Sequence, residues 1–377
     1  MIGLYVHWPY CTAICPYCDF NVYLARGADT ETLAQAICAD MADQTVRFPA
    51  PGPLSSVFFG GGTPSLMPPS AVAAILNAAD RLWGLAPDAE VSLEANPEDR
   101  SGFGPLVQAG INRLSLGLQA LNDADLKALG RFHSTQDGLE AVDAAQKACD
   151  RVSIDLIYAR EGQSLDAWRA ELMRALGLGV EHLALYQLTI EPDTAFAKRV
   201  ERGALIPPET DAAAALYEAT EAQCAQAGYA AYEISNYARA PAARARHNET
   251  YWRYGIWYGV GPGAHGRVRT AEGDVVATQA ERRPARYIAG AREGSALAES
   301  RILSLREAAE EGLMMGLRHV DGVRLGPLID ALGEGWNAGA CEALTQDGWL
   351  VRNGDRLAVS KRGRLVLDYL CGRLIGG

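Results

Sequence analysis

Short apolar runs of strand length alternate with segments of helical periodicity between residues 4 and 227 of this chain. The predicted strands are residues 4–8, 56–60, 90–95, 113–118, 152–158 and 182–190. The predicted helices are residues 30–48, 69–83, 101–109, 135–148, 164–178 and 209–227. Strict alternation of strands and helices is typical of a parallel sheet with right-handed crossovers. The sequence therefore predicts an α/β fold, either a flat sheet or a partial (β/α)6 barrel.

Three cysteines follow the first predicted strand closely, at the spacing C-x3-C-x2-C. They are Cys11, Cys15 and Cys18, whereas the other five cysteines lie far apart along the chain. Such close spacing indicates thiolates that converge on one metal centre rather than disulfides. Three thiolates leave one position open on a tetrahedral metal, which favours a [4Fe-4S] cluster with one accessible iron. Zinc with His7 or Asp19 as fourth ligand, and reduced thiols without a metal, stay open as alternatives.

Length and composition limit the classes of protein to be considered. A chain of 377 residues with 49% hydrophobic and 21% charged residues predicts one large domain with a smaller appendage. The net charge of −11 argues against non-specific binding to DNA or to anionic lipid. No targeting peptide and no membrane-spanning segment is expected, so a cytoplasmic location is predicted.

Polar or glycine-rich motifs follow every predicted strand. They are the cysteine segment, Gly60-Gly61-Gly62-Thr63, Glu94-Ala95-Asn96-Pro97, Gly117-Leu118-Gln119, Asp155 with Tyr158, and Tyr186-Gln187. The carboxyl ends of parallel strands meet at one edge of the sheet, so these motifs predict one extended site. The glycines either form a tight turn or let backbone N–H groups approach an anionic ligand, and the position favours the ligand. Gln119, Arg131 and Asp155, taken singly, are each expected to be structural.

Together these motifs resemble the radical S-adenosylmethionine superfamily. The resemblance rests on the three cysteines, the Gly-Gly-Gly-Thr-Pro segment and the six strand–helix units. Further segments resemble oxygen-independent coproporphyrinogen III oxidases and their relatives, the HemW family of haem chaperones. These segments are Leu-Glu-Ala-Asn-Pro97, Gly-Arg131-Phe-His133-Ser, Asp155-Leu-Ile-Tyr158, Tyr186-Gln187-Leu-Thr-Ile-Glu-Pro192, Glu233-Ile-Ser-Asn-Tyr, His247-Asn248-Glu-Thr-Tyr251-Trp252 and Gly-Pro-Gly-Ala-His265-Gly.

The resemblance implies cofactors and the residues that hold them. Cys11, Cys15 and Cys18 would bind a [4Fe-4S] cluster whose fourth iron takes the amino and carboxylate groups of S-adenosylmethionine. By similarity, the residues expected to contact that cofactor are Tyr5, Gly61, Gly62, Thr63 and Glu94. Gln119, Arg131 and Asp155 correspond to positions at a second S-adenosylmethionine in the oxidases.

Three differences favour the HemW family over the oxidases. First, the oxidases carry a further cysteine at the position where this chain has Phe20. Second, the oxidases carry an additional segment before their first strand, whereas the first strand of this chain is expected to start almost at Met1. The motif His247-Asn248-x-x-Tyr251-Trp252 resembles the haem-binding signature of the HemW family. An imidazole is a common axial ligand of haem, and aromatic rings pack on a porphyrin face. The alternative is that His247 and Asn248 fasten a loop while Tyr251 and Trp252 fill the core.

The expected function is therefore that of a haem-binding and haem-delivering protein that depends on the cluster and S-adenosylmethionine. Its expected partners are haem and acceptor haemoproteins, including respiratory proteins of a membrane that the chain would contact only peripherally. A radical enzyme that decarboxylates porphyrinogen propionates is the alternative. A cluster-bearing regulator that binds nucleic acid is the third hypothesis.

The last part of the chain predicts a separate small domain. Residues 241–301 are rich in arginine and are expected to be irregular, and helices at 305–318, 325–332 and 336–346 precede a hairpin at 349–359. This order resembles a winged helix, but residues 336–346 contain no lysine or arginine, so a lid over the barrel mouth is preferred to nucleic-acid binding. The predicted domains are a radical S-adenosylmethionine barrel at 1–235, a connecting segment at 236–300 and a winged-helix-like α+β domain at 301–377.

Overall fold

The computed structural model describes residues 1–375 of the chain. Its strands are β1 (Ile2–Trp8), β2 (Tyr10–Cys11), β3 (Tyr23–Leu24), β4 (Leu54–Gly61), β5 (Leu85–Ala95), β6 (Arg113–Gln119), β7 (Val152–Tyr158), β8 (His182–Gln187), β9 (Ala230–Ala231), β10 (Asn236–Ala238), β11 (Ile256–Val260), β12 (His265–Arg269), β13 (Val275–Ala280), β14 (Leu297–Ile302), β15 (Val323–Arg324), β16 (Leu350–Asn353) and β17 (Arg356–Val359). Its α-helices are α1 (Thr30–Arg47), α2 (Pro69–Trp83), α3 (Phe103–Gln108), α4 (Asp123–Ala128), α5 (Thr135–Ala148), α6 (Leu165–Leu176), α7 (Ala195–Glu201), α8 (Thr210–Gln226), α9 (Arg246–Trp252), α10 (Pro284–Glu293), α11 (Leu305–Gly316), α12 (Leu325–Leu332), α13 (Ala338–Gln346) and α14 (Leu367–Leu374).

One sheet of twelve strands organises most of the molecule. Its order is β14-β13-β12-β11-β1-β4-β5-β6-β7-β8-β10-β9. The run from β11 to β8 is parallel throughout, and the strands at both ends are antiparallel. The prediction of six parallel strands in chain order is confirmed, and within residues 1–375 the sheet does not close into a full barrel.

The two faces of β1 have different surroundings because side chains alternate along a strand. Leu4, Val6 and Trp8 are fully buried in the main hydrophobic core, which also contains buried side chains of α1 and α2. The other face carries Tyr5 and His7, and the Tyr5 ring stacks on Phe58 of β4. The inner face of the sheet is therefore polar and aromatic, whereas the outer face is covered by helices.

The expectation of an irregular segment at residues 241–301 is wrong. The segment forms α9, α10 and the strands β11 to β14, and β11 pairs in parallel with β1. Burial alternates along β12 and β13, so arginines such as Arg267 and Arg269 occupy the less buried positions. These charges hid the apolar alternation in the sequence. The three predicted domain boundaries stay a proposal, although the strands of 236–300 continue the sheet of 1–235.

The C-terminal part has a hydrophobic core of its own, formed by α11 to α14 and the three-stranded sheet β15-β17-β16. The hairpin and three helices lie where the sequence predicts them, and Asn353 precedes the Gly354 turn at φ 61°. The expectation of a lid over the barrel mouth is wrong, because the residues that line the cavity at that mouth all fall between Cys11 and Glu191. The C-terminal part contacts α9 instead, where His319 lies beside Glu249.

Candidate functional site

A cavity of about 380 Å³ opens at the carboxyl ends of the parallel strands, and we call it the thiol cavity. Most of the predicted site residues line it together, namely Cys11, Cys15, Cys18, Gly61, Gly62, Thr63, Glu94, Gln119, Arg131 and Asp155. Residues of each strand-end motif therefore meet at one cavity, as the sequence predicts, and the binding role of that cavity stays a prediction. Asn96, Ser115 and Tyr186 also line the cavity.

The cysteine segment is held at the cavity by backbone hydrogen bonds. The short parallel strands β2 and β3 pair on either side of it, and the Ala25 N–H donates to the Cys11 carbonyl at 2.8 Å. The Cys18 N–H donates to the Cys15 carbonyl at 3.2 Å. None of the three cysteines forms a disulfide within residues 1–375. Burial raises the pKa of the Cys18 thiol to about 11, so a bound metal would have to displace the proton.

The glycine motif brings two chain segments into close contact. A Cβ atom at Gly62 would lie 2.8 Å from the Tyr10 carbonyl oxygen and 2.9 Å from the Cys11 Sγ. The N–H groups of Gly61, Gly62 and Thr63 donate to Glu94, Trp8 and Tyr10, respectively. The expectation that these N–H groups face an anionic ligand is therefore wrong for this conformation, and the glycines act by permitting close approach.

The three thiols that line the thiol cavity suit a [4Fe-4S] cluster. Asp19 lines the same cavity, so zinc with Asp19 stays an alternative, whereas zinc with His7 is not met. Both ring nitrogens of His7 are engaged, Nδ1 with the Tyr5 hydroxyl and Nε2 with the Asn21 carbonyl, each at 2.9 Å. His7 is therefore not available as a fourth ligand. Among residues 1–375, no three histidine, cysteine or carboxylate side chains are already gathered around a single-ion position.

Arg131 ties the cysteine segment to two strand ends. Its guanidinium donates to the Asn96 side-chain oxygen at 2.6 Å, to the Gly117 carbonyl at 3.1 Å and to the Cys15 Sγ at 3.6 Å. The guanidinium thus places a positive charge beside the Cys15 Sγ. These contacts make Arg131 a candidate functional residue. Its isolated position in the sequence did not indicate them.

Two of the carboxyl groups that line the thiol cavity, Glu94 and Asp155, have raised pKa values. Burial and the neighbouring Asp155 raise the pKa of Glu94 to about 8, and the Gly61 N–H opposes this rise. Burial raises the pKa of Asp155 to about 7. The Ser115 hydroxyl donates a hydrogen bond to Asp155 at 3.0 Å, which acts in the opposite direction. A cationic ligand in the cavity would favour the charged forms of both groups, because opposite charges attract strongly where water is excluded.

Gln119 has a left-handed backbone at the end of β6. Its φ is 66°, and the register between β6 and β7 shifts between Gly117 and Gln119. A non-glycine residue in this region of backbone space costs free energy, and such residues concentrate at functional sites. The shift turns the Gln119 side chain into the thiol cavity.

Tyr5 does not line the thiol cavity. It lines a second cavity of about 500 Å³, together with His7, Tyr251 and His265. The two cavities are adjacent, since Asp19 and Phe20 line both. The assignment of Tyr5 to S-adenosylmethionine stays a prediction.

The His247 motif lies at the opposite ends of the strands, where α9 packs against the start of β1 and β4. The His247 side chain is buried, with Nδ1 3.0 Å from the Ser56 hydroxyl and Nε2 2.8 Å from the Tyr251 hydroxyl. Burial lowers its pKa to about 3, so the ring is neutral. The prediction that His247 offers a nitrogen to haem is not met in this conformation, because both nitrogens are engaged. Asn248 and Trp252 are half-buried on the same helix.

A buried ion-pair cluster beside α9 is a feature that sequence reasoning missed. Arg113 lies 3.5 Å from Glu90 and 3.6 Å from Glu181, and Arg151 lies 3.0 Å from Glu90. Arg113, Arg151 and Glu181 stand at the amino ends of β6, β7 and β8, the end of such folds that carries stability. The sequence does contain a signal for this cluster, because two residues of opposite charge, Glu90 and Arg113, begin successive predicted apolar strands.

Comparison with known proteins agrees with this architecture. Residues 5–175 match the model of the radical SAM superfamily, and residues 303–366 match that of the HemN C-terminal domain. The solved structure of coproporphyrinogen III oxidase (HemN) from Escherichia coli superposes with a TM-score of 0.81 over 99% of this chain and 89% of that one. At 21% sequence identity this similarity concerns the fold.

Two relatives carry the closer sequence similarity. Radical S-adenosyl methionine domain-containing protein 1, mitochondrial, of Bos taurus is 44% identical over 70% of this chain, which spans 60% of that relative's length. The heme chaperone HemW of Mycobacterium tuberculosis is 36% identical over 99% of this chain and 95% of its own length. Because that match extends through the sheet, α9 and the C-terminal part alike, the chain belongs to the HemW family of radical S-adenosylmethionine proteins.

Proposed function

We propose that this protein binds haem and delivers it to acceptor haemoproteins, with a [4Fe-4S] cluster and S-adenosylmethionine as its cofactors. The observation that carries the proposal is the similarity to a protein named heme chaperone along nearly the whole chain. Haem is the cargo in this proposal, and the acceptors include respiratory proteins of a membrane. No helix within the described 1–375 has the length and apolarity needed to span a bilayer. A cytoplasmic location belongs to the proposal.

The residues of the thiol cavity suit these cofactors. Cys11, Cys15 and Cys18 would each bind one iron and leave one iron of the cluster without a protein ligand. Gly62 keeps the space beside Cys11 clear, and Arg131 supports Cys15. A bound cluster would supply an electron to the sulfonium of S-adenosylmethionine.

The carboxyl groups of the cavity suit the positive sulfonium of S-adenosylmethionine. A sulfonium beside them would favour the charged forms of Glu94 and Asp155. Gln119, Arg131 and Asp155 line the cavity of the thiols, so a second S-adenosylmethionine would lie close to the first.

Haem titration of the anaerobically purified protein tests the proposal. We expect a Soret band that shifts on binding, and transfer of the bound haem to an apo-haemoprotein. A triple variant with serine at positions 11, 15 and 18 should lose the iron and labile sulfide of the cluster. The rate of haem transfer by this variant is then compared with that of the parent, which shows whether delivery depends on the cluster. Failure to bind haem, together with decarboxylation of coproporphyrinogen III, would contradict the proposal and support the oxidase alternative.

A further inference from the structure

The second cavity, which we call the histidine cavity, contains groups that the thiol cavity does not use. It has a volume of about 500 Å³, within the range typical of small-molecule sites. Its walls carry the aromatic rings of Tyr5, Phe20, Tyr251 and Trp257, with His265 and Arg282 at the surface. The rings of Tyr251 and Trp257 meet edge to face at 5.0 Å between centroids. The cavity thus combines an aromatic wall with nitrogen donors.

His265 differs from every other histidine of the chain. All six histidines fall within the part of the chain that the structure describes, and the other five are buried at 5% exposure or less. Each of those five has a ring nitrogen engaged by a protein group, as His247 shows at both nitrogens. His265 is exposed, and within residues 1–375 its ring makes no hydrogen bond or ion pair. Its nitrogens are therefore accessible to a ligand in the cavity.

The groups around the cavity suit a haem. An imidazole nitrogen coordinates a haem iron through its lone pair. Arg267 is paired with Glu311, whereas the Arg282 side chain is exposed and has no carboxylate partner within residues 1–375. Arg282 is thus available to a carboxylate of a ligand.

We propose that haem binds in the histidine cavity with His265 as an axial ligand and with Arg282 beside a propionate. This inference rests on the proposed function and names the site for its cargo. Tyr251 connects the histidine cavity to the buried His247, because it lines the cavity and its hydroxyl is hydrogen-bonded to the His247 ring. In this proposal the His247 motif contributes Tyr251 to the wall of the haem site, and the haem iron is bound by His265 instead of His247. Asp19 and Phe20 place the haem next to the thiol cavity.

The test compares two histidine variants of the full chain, loaded with the cluster under anaerobic conditions and titrated with ferric haem. We expect His265→Ala to lose the Soret position of the parent and to bind haem about tenfold or more weakly. Added imidazole should restore the parent spectrum of His265→Ala, which a purely structural role would not permit. Arg282→Ala should weaken binding without moving the Soret band. His247→Ala should keep the Soret position of the parent. Its cluster iron content, compared with that of the parent, shows that the variant is folded.

The outcomes separate this inference from the proposed function. A parent protein that binds no haem contradicts the proposed function itself. A parent that binds haem, with His265→Ala unchanged in spectrum and affinity, overturns the assignment of His265 and leaves the haem chaperone intact. A Soret shift that is lost in a folded His247→Ala and kept in His265→Ala likewise overturns it and assigns the iron to the buried histidine. Failure of imidazole to restore the spectrum of His265→Ala also counts against axial ligation.

Discussion

At the scale of single residues, Gly62 shows how closely the thiol cavity is packed. The residue lies between the Tyr10 carbonyl and the Cys11 Sγ, and its N–H donates to the Trp8 carbonyl at 2.7 Å. Any side chain would push the cysteine segment away from the strand ends. The position of Cys11 therefore depends on the absence of one methyl group from the neighbouring loop.

Gly62→Ala should disturb the cysteine segment before it disturbs the rest of the fold. Its Cβ would lie below 3.0 Å from backbone atoms and from the Cys11 Sγ, so we expect a cost of about 1–3 kcal/mol in unfolding free energy. We also expect less iron and labile sulfide per chain after anaerobic reconstitution. Gly52→Ala is the matched control, because a Cβ there meets nothing within 4 Å. Equal iron contents in the two variants would contradict this view of Gly62.

The sequence predicted which residues meet at the thiol cavity but not what each of them does. The spacing of Cys11, Cys15 and Cys18 and the strand-end motifs depend on local order, which a sequence displays directly. The engagement of the glycine-motif N–H groups depends on Trp8 and Tyr10, about 50 residues earlier in the chain, and on Glu94 of β5, which no local pattern reveals. His247 was harder still, because its burial requires α9 to pack under strands that lie about 200 residues earlier in the chain.

At the scale of secondary-structure elements, one buried carboxyl connects α1, α10 and the end of β11. Asp40 of α1 accepts hydrogen bonds from Gln44 at 3.0 Å and from the Tyr287 hydroxyl of α10 at 2.7 Å. Tyr287 in turn accepts from the Gly261 N–H at 2.8 Å, and Gln44 donates to the Gly259 carbonyl at 2.9 Å. Helices on the outer face are thereby fixed to the strand that flanks β1.

Asp40→Asn should change how stability depends on pH. Burial raises the pKa of Asp40 to about 6, although Gln44 and Tyr287 oppose the rise. The folded state therefore binds more protons than the unfolded state between about pH 4 and pH 6, and stability falls as pH rises through that window. The asparagine lacks this titration, so its stability relative to the parent should increase by about 2–3 kcal/mol between pH 4 and pH 7.

Denaturant unfolding of the cluster-free proteins at several pH values measures the effect. Asp166→Asn, at a carboxylate that is 95% exposed, should follow the parent at every pH. A constant difference between Asp40→Asn and the parent across the window would show that Asp40 is charged in the folded protein at pH 4, against our expectation.

At the scale of the whole molecule, ion pairs contribute to the attachment of the C-terminal part to the large sheet. Arg267 of β12 donates to both carboxylate oxygens of Glu311 in α11, at 2.7 and 2.8 Å. On the opposite side, Arg364 lies 2.8 Å from Glu221 of α8. The first pair also borders the histidine cavity, because Met315 of the same helix lines it. Attachment of the C-terminal part and the shape of that cavity are thus linked.

The Arg267–Glu311 pair should contribute measurably to stability. Both side chains are about one quarter exposed or less, and the geometry is bidentate, so we expect a coupling energy near 1 kcal/mol, the upper end for surface pairs. A double-mutant cycle with Arg267→Ala and Glu311→Ala measures it by thermal unfolding. The same cycle at Arg324 and Asp355, an exposed pair, is the control and should give a smaller coupling. Equal couplings would argue that burial adds nothing to the first pair.

The order of the six central strands was predictable because each apolar run is adjacent in sequence to its crossover helix. The extension of the sheet by β11 to β14 was not, since β11 is short and its partner β1 stands at the other end of the chain. Arg267 and Arg269 further reduced the apolar signal of β12. Short strands at an extended sheet gain their stability from neighbours, which a local sequence pattern does not contain.

The pairing of β1 with both β4 and β11 has a consequence for biosynthesis. A nascent chain presents β4 once residue 61 has left the ribosome, but β11 is complete only at residue 260. At about 5–20 residues per second, translation of the intervening segment takes roughly 10–40 seconds. During that interval one edge of β1, the strand that leads into the cysteine segment, has no partner. The sequence order thus leaves a period in which the sheet can grow from only one side of β1.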